Sequence, residues 1–301
     1  MLRFGLETAL CRQNLSFGTP PTVLYGGTGT VTATTTAVPS SSYPITFSTT
    51  STDCSVTSEG EVTGINAGTA NCQITATQAG DANYASASAT QTLSIGKASQ
   101  ALTFGTPPTV LFNGTGTVTA STTATPGTSY PITFSTTSTD CSVSSAGVVT
   151  GINAGTANCQ ITATQAGDAS YEAATETQTL SIGKASQAAL TATASPAGVT
   201  LGGISTLGTT GGSGDGAVSY AVTAGNAFCT VNGTTLTGTA VGTCTVTATR
   251  AADANHEQAT ATVDVAVRAL VPVPTLSAWL LGLLGAMLAS IGLARSRHAR
   301  G

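Results

Sequence analysis

Seven cysteines, two histidines and thirteen carboxylates are the residues of this 301-residue chain that could do covalent, acid–base or metal chemistry. Six of the cysteines fall into pairs. Cys54 and Cys72 are 18 apart, Cys141 and Cys159 repeat that spacing, and Cys229 and Cys244 are 15 apart. One pair per repeat reads as one disulfide per repeat, and closing such a ring is worth ~3 kcal/mol of unfolded-state entropy. The alternative is reduced thiols packed as small apolar side chains. Cys11 is left over. A metal centre needs clustered ligands, and neither His256 nor His298 accompanies a cysteine group. No metal site and no cofactor are expected.

Catalysis needs a nucleophile beside a base, paired carboxylates or a metal. Glu59 and Glu61 are neighbouring carboxylates, but Ala146 and Val148 replace them in the second repeat. His256 stands where the other repeats have Tyr84 and Tyr171, so packing or a turn is its expected role. The glycine-rich run Gly211-Gly212-Ser213-Gly214-Asp215-Gly216 precedes no helical pattern, which makes it a flexible hairpin loop and not a phosphate cradle. Gly80-Asp81-Ala82-Asn83-Tyr84 recurs as Gly167-Asp168-Ala169-Ser170-Tyr171 and Ala252-Asp253-Ala254-Asn255-His256. Its oxygens suit Ca²⁺, but two side chains fall far short of the roughly six to eight ligands that ion takes. An Asx turn with an aromatic packed under it is the plainer reading. No enzyme is expected.

The elements that must position these residues are repeats. Residues 15–100 and 102–187 align without gaps at a period of 87, with 71 of 86 positions identical. Phe17 to Leu24 returns as Phe104 to Leu111, and Ser94 to Gln100 returns as Ser181 to Gln187. A diverged third unit spans 188–268, where Gly242 to Thr249 matches the segment from Thr69 to Thr77. The expected order is an atypical N-terminal segment at 1–14, repeats at 15–100, 101–187 and 188–268, and a C-terminal segment at 269–301. Short linkers are expected around 96–101 and 183–188.

Threonine makes up 60 of the 301 residues, while 7% of the chain is charged and 5% is aromatic. Val31 and Ala33, Ile45 and Phe47, and Cys72, Ile74 and Ala76 alternate with polar residues. Period 2 puts the apolar set on one face of a half-buried antiparallel sheet, so the class is all-β. Between residues 13 and 270 four basic side chains face twelve acidic ones, which excludes electrostatic capture of nucleic acid.

These units resemble the bacterial Ig-like repeats of surface proteins, which implies tandem β-sandwiches. Antibody-type sandwiches keep a Trp in the core, and Phe47 and Phe134 are the candidates for that place here.

The last segment carries a different signal. Leu276 to Ala294 contains no charge, and Arg295, Arg297 and Arg300 follow it. Nineteen helical residues at ~1.5 Å each span ~28 Å, close to the hydrocarbon thickness of a bilayer, so 276–294 is expected to be a transmembrane helix with its basic end cytoplasmic. Val273, Pro274, Thr275, Leu276 and Trp279 precede and open that stretch. The arrangement resembles the IPTL-CTERM sorting signal of Gram-negative surface proteins, with Val273 where Ile is usual. The resemblance implies recognition and cutting by a membrane-embedded exosortase-type transpeptidase; the alternative is a plain anchor that stays uncut. Disulfides agree with export, since they persist in oxidising compartments.

Residues 1–10 form no convincing signal peptide, because Glu7 interrupts a brief apolar stretch. The expectation is that the natural chain starts upstream, or that this is a fragment of a longer repeat protein. Arg12-Gln13-Asn14-Leu15 parallels Ser99-Gln100-Ala101-Leu102.

The expected function is a non-enzymatic, exported stalk or adhesin-like spacer attached to the cell envelope. The alternatives are a C-terminal fragment of a larger protein, or a carbohydrate- or protein-binding module for a host or neighbouring-cell ligand. Tyr25, Tyr43, Phe112 and Tyr130 are the material for such a binding face.

Overall fold

The alternation of Val, Ile and Thr becomes strand after strand. The computed structural model describes residues 10–38, 44–124 and 131–271, and the chain divides into two units, Met1–Ala185 and Ser186–Gly301. The first sandwich of the first unit opens with β1 (Leu15–Phe17), β2 (Val23–Leu24), β3 (Thr28–Thr30), β4 (Ala33–Thr35) and β5 (Ile45–Thr49). It closes with β6 (Cys54–Val56), β7 (Glu61–Gly64), β8 (Gly68–Gln78) and β9 (Ala87–Gly96).

Sheet β2-β9-β8-β5 lies across the core from β3-β7-β6, and β1 pairs with β4. Among its described strands β2 and β9 are the pair that runs parallel, with Val23 opposite Ile95. Strands β1, β3 with β4, β7 and β6 take the A, B, E and D places of an immunoglobulin sandwich; β5, β8 and β9 take C, F and G.

The second sandwich repeats this with β10 (Leu102–Phe104), β11 (Val110–Leu111), β12 (Thr115–Thr117), β13 (Ala120–Thr122) and β14 (Ile132–Thr136). Its remaining strands are β15 (Cys141–Val143), β16 (Val148–Gly151), β17 (Gly155–Gln165) and β18 (Ala174–Gly183). The second unit holds β19 (Leu190–Ser195), β20 (Gly198–Thr200), β21 (Ile204–Gly211) and β22 (Val218–Ala224). Strands β23 (Cys229–Asn232), β24 (Thr235–Gly238), β25 (Gly242–Arg250) and β26 (Ala259–Arg268) complete it. Its sheets are β20-β26-β25-β22 and β19-β21-β24-β23, so the diverged repeat keeps the whole topology, beyond the second half that its sequence match covers.

Period 2 decides what is buried. In β8, Cys72, Ile74 and Ala76 are fully enclosed while Gln73 and Thr77 are exposed. Val23, Val31, Cys54, Val62, Leu93 and Ile95 complete that core from both sheets. Phe47 does not take the central place expected of it. It lies partly buried at the margin with its ring 6.0 Å from that of Phe17, and Phe134 does the same against Phe104.

Three disulfides join Cys54 to Cys72, Cys141 to Cys159 and Cys229 to Cys244. Antibody domains bridge strands B and F, whereas here the bridge runs from the start of the D-type strand β6 to the F-type strand β8, across the two sheets.

Tight turns fix two backbone positions. Gly60 sits at φ +94°, and a Cβ there would stand 2.5 Å from the Val31 carbonyl oxygen. Gly60→Ala is expected to destabilise the first sandwich by about 1–3 kcal/mol, seen as a lowered urea midpoint. At Gly26 (φ +71°) a Cβ would meet nothing within 4 Å. The second sandwich has Asn113 there at φ +57°, one of the few residue types that tolerate this region.

Among the described residues no helix is long and apolar enough to cross a membrane. The span expected at 276–294 lies outside them.

Candidate functional site

Gln13, Gln100 and Gln187 recur at the 87-residue period, each just ahead of the first strand of a sandwich. The Gln100 amide donates to the carbonyls of Ala166 and Glu172, and Gln187 does the same to Ala251 and Glu257. Gln13 reaches Ala79. Each glutamine therefore clasps the loop that carries the Asp motif of its own sandwich. Ala98 adds a backbone ladder, donating to Ser170 and accepting from Glu172. Cys11 makes the same two bonds with Asn83 and Ala85, its thiol exposed and free.

This has a consequence for the segment expected as a linker at 96–101. Gly96 is still paired in the first sandwich, opposite Leu24, and Ala98 is already bridged to Tyr171 of the second. Lys97 alone stands between. Beside it the Tyr25 ring meets that of Tyr171 edge to face, with centroids 5.3 Å apart and planes at 74°. Tyr25 is thus occupied in joining two sandwiches of the first unit. Phe112 holds the equivalent place in the second sandwich, its N–H bonded to Gly183. The structure does not assemble Tyr25 and Phe112 into one binding face, and Tyr43 and Tyr130 lie outside the described residues.

The three Asp motifs are Asx turns. Asp81 Oδ1 accepts the N–H groups of Asn83 and Tyr84 at 2.7 and 2.8 Å, and Asp168 and Asp253 repeat the pattern. In every copy one carboxylate oxygen accepts two backbone N–H groups of its own loop. Among the described residues no group of three or more metal-ligating side chains converges. Glu59 accepts the Ser58 hydroxyl at 2.8 Å, and that bond holds its carboxyl below the usual range.

His256 departs from the tyrosines it replaces, because its Nδ1 lies 3.2 Å from both oxygens of Asp253. The glycine-rich loop expected to be flexible is tied to the same carboxylate. Asp215 donates to Asp253 Oδ2 at 2.7 Å, Arg250 donates to the Gly214 carbonyl at 2.9 Å, and Ser213 accepts from Ala188. The Asp215 N–H foremost, then those of Asn255 and His256 and the His256 ring, hold the Asp253 carboxyl down at about 2 from an ordinary 3.8. A carboxyl more acidic folded than unfolded stabilises fully above pH ~4 and loses that contribution as pH falls towards 2. Melting temperatures at pH 5 and pH 2.5 are therefore expected to differ less in Asp253→Asn than in the parent.

The sorting residues Val273, Pro274, Thr275, Leu276 and Trp279, and the basic Arg295, Arg297 and Arg300, lie outside the described residues. The sequence reading missed the glutamine clasp, and its signal was present as a glutamine recurring at the repeat period.

No protein-family model matches the chain, and no curated protein matches it. Among solved structures it aligns with Drosophila N-cadherin EC1-3 at 11% identity and TM-score 0.26, over 75% of this chain and 90% of that one. Three N-terminal domains of the bacteriophage RB49 Highly Immunogenic Outer Capsid protein align at 12% identity and TM-score 0.24, over 86% and 100%. The N-terminal four Ig domains of Dscam1 isoform 6.9 align at 9% identity and TM-score 0.27, over 85% and 73%. The sandwich assignment stands on the strand register alone.

Proposed function

We propose that this chain is a non-enzymatic, exported cell-surface protein of a Gram-negative cell, a repeat stalk or adhesin-like spacer that projects from the envelope. The observation that carries the reading is the junction in the first unit. One residue, Lys97, separates the last paired residue of one sandwich from the first of the next, and a tyrosine pair braces it. An edge-to-face pair adds about 0.5–1.5 kcal/mol beyond its buried area, enough to favour one orientation over a freely jointed one. Three disulfides fit an oxidising compartment.

Sorting is proposed to run through Val273-Pro274-Thr275-Leu276 and Trp279, read by an exosortase-type transpeptidase, with Leu276 to Ala294 spanning the membrane beforehand. The intact mass of the protein taken from its own cell surface tests this. The expected mass lacks about the final 25–30 residues, since a cut near the motif leaves the ~20-residue span behind. Full mass would leave an uncut anchor and remove the transpeptidase. For the junction itself, the distance between fluorescent labels on the two sandwiches of the first unit, read by single-molecule energy transfer in the full chain, should be narrowly distributed and should broaden in Tyr25→Ala with a Gly-Ser insertion after Lys97. An unchanged distribution would overturn the braced junction.

A further inference from the structure

Among its described residues the second unit exposes five large apolar side chains, Leu201, Ile204, Val241, Leu270 and Val271. Backbone bonding brings all of them to one end of the sandwich. The Leu201 N–H donates to the Arg268 carbonyl, two residues before Leu270. Val241 precedes Gly242, which pairs with Val267 on the other side of β26. Leu201 and Val241 thus flank the exit of β26 two strand spacings apart, about 10 Å. Ile204 opens β21 opposite Thr237, and the Gly202 N–H donates to the Gly238 carbonyl beside it.

The first sandwich makes the same backbone bonds, with Thr28 in the place of Ile204, Ala67 in that of Val241, and Ala98 and Ser99 in those of Leu270 and Val271. Its Asp53 accepts the Asn66 side chain at 2.9 Å, and the second sandwich keeps that polar pair as Asp140 and Asn153. In the second unit the pair becomes Phe228 and Ala240, with the Phe228 ring against Gly242. Leu24 and Ile65 change the other way, to Thr200 and Thr239. No carboxylate is left at this end: residues 199–206, 225–243 and 266–271 hold one charged side chain, the exposed Arg268. Exposed apolar side chains scattered singly need no explanation, whereas a cluster of them at one end marks a contact.

We propose that this end of the second unit is a foot that rests on a phospholipid bilayer, with Ile204, Val241 and Leu270 entering the headgroup layer and Arg268 meeting anionic phosphate. The inference rests on the reading of 276–294 as a membrane span. Chain length then selects the occupant. Val271 and Leu276 are five residues apart, a stretch that reaches at most ~18 Å when fully extended. The headgroup layer takes up ~5–8 Å of that, so the foot is held at the lipid surface while the span is in place. So short a tether makes docking an intramolecular step at high effective concentration, and a few apolar side chains with one arginine suffice.

The test uses the full, uncut chain in vesicles of phosphatidylethanolamine and phosphatidylglycerol that carry spin labels on their headgroups. Cys11→Ser/Val241→Cys takes a fluorophore at the foot, and Cys11→Ser/Ala67→Cys takes it at the matching position of the first sandwich. Emission from position 241 should be quenched several-fold more strongly than from position 67. Adding Ile204→Thr and Leu270→Ala, the residues of the first sandwich, should bring quenching at 241 down towards that at 67 with the melting temperature unchanged. Flotation with the vesicles after an alkaline carbonate wash reports the span separately. Chains that float yet are quenched no more at 241 than at 67 overturn the foot and leave the span standing. Chains quenched at 241 but stripped by carbonate remove the span and support the lipid contact by itself. Chains that neither float nor quench overturn both. Energy transfer between position 241 of separate chains, without quenching by lipid, assigns the end to a second copy and overturns the proposal.

Discussion

Replacing Cys54 and Cys72 together by alanine should lower the melting temperature of the first sandwich by roughly 12–24 °C. The bridge closes an 18-residue ring and ties the two sheets across a core of eight buried residues. Loop closure of that size is worth ~3 kcal/mol, and each kcal/mol moves a domain of this length by about 4–8 °C. Both sulfurs are buried, so the loss of packing adds to the loss of the constraint. Cys141→Ala/Cys159→Ala should act equally on the second sandwich, whose core matches residue for residue. The measurement is a calorimetric scan of the full chain, with reductant on the parent protein as the second arm. A scan unmoved by either treatment would show that the apolar core alone holds the sandwich.

Ile74→Ala should cost about 2–5 kcal/mol, because Ile74 is fully enclosed at the centre of β8 and its removal leaves a cavity. The next residue along the same strand faces the other way. Thr75→Ala should stay within about 0.5 kcal/mol. Urea unfolding of the two variants measures the contrast. Equal effects would mean that β8 is out of register, since a slip by one residue exchanges the two faces.

Much of this was legible in the sequence, for a physical reason. Alternation of Ile74 and Ala76 with Thr75 and Thr77 is a local property, and so is the recurring spacing of the cysteines that form the three bridges. What stayed hidden depends on contacts between residues far apart in the chain. Ala98, Ser99 and Gln100 are small and polar, as linkers are, yet the Gln100 amide reaches a carbonyl 72 residues away. The run from Gly211 to Gly216 has the composition of a mobile loop. It is held by Asp253, Arg250 and Ala188, and no local pattern announces that. Phe47 is a candidate for the place of a core tryptophan by analogy, but the bridge and the aliphatic side chains fill the centre and leave its ring at the rim.

The parallel pairing of β2 with β9 determines how a sandwich would answer to tension. A pull along the chain draws the first strands of a sandwich one way and β9 the other, and Val23–Leu24 lies alongside Ile95–Gly96. Those hydrogen bonds are then loaded in shear and must break together, whereas a hairpin pulled from its open end would unzip them singly. Once they yield, the bond between Cys54 and Cys72 keeps the chain between them from paying out. A stretched array of such sandwiches would give way one sandwich at a time, each step shortened by the length of chain that its bridge encloses.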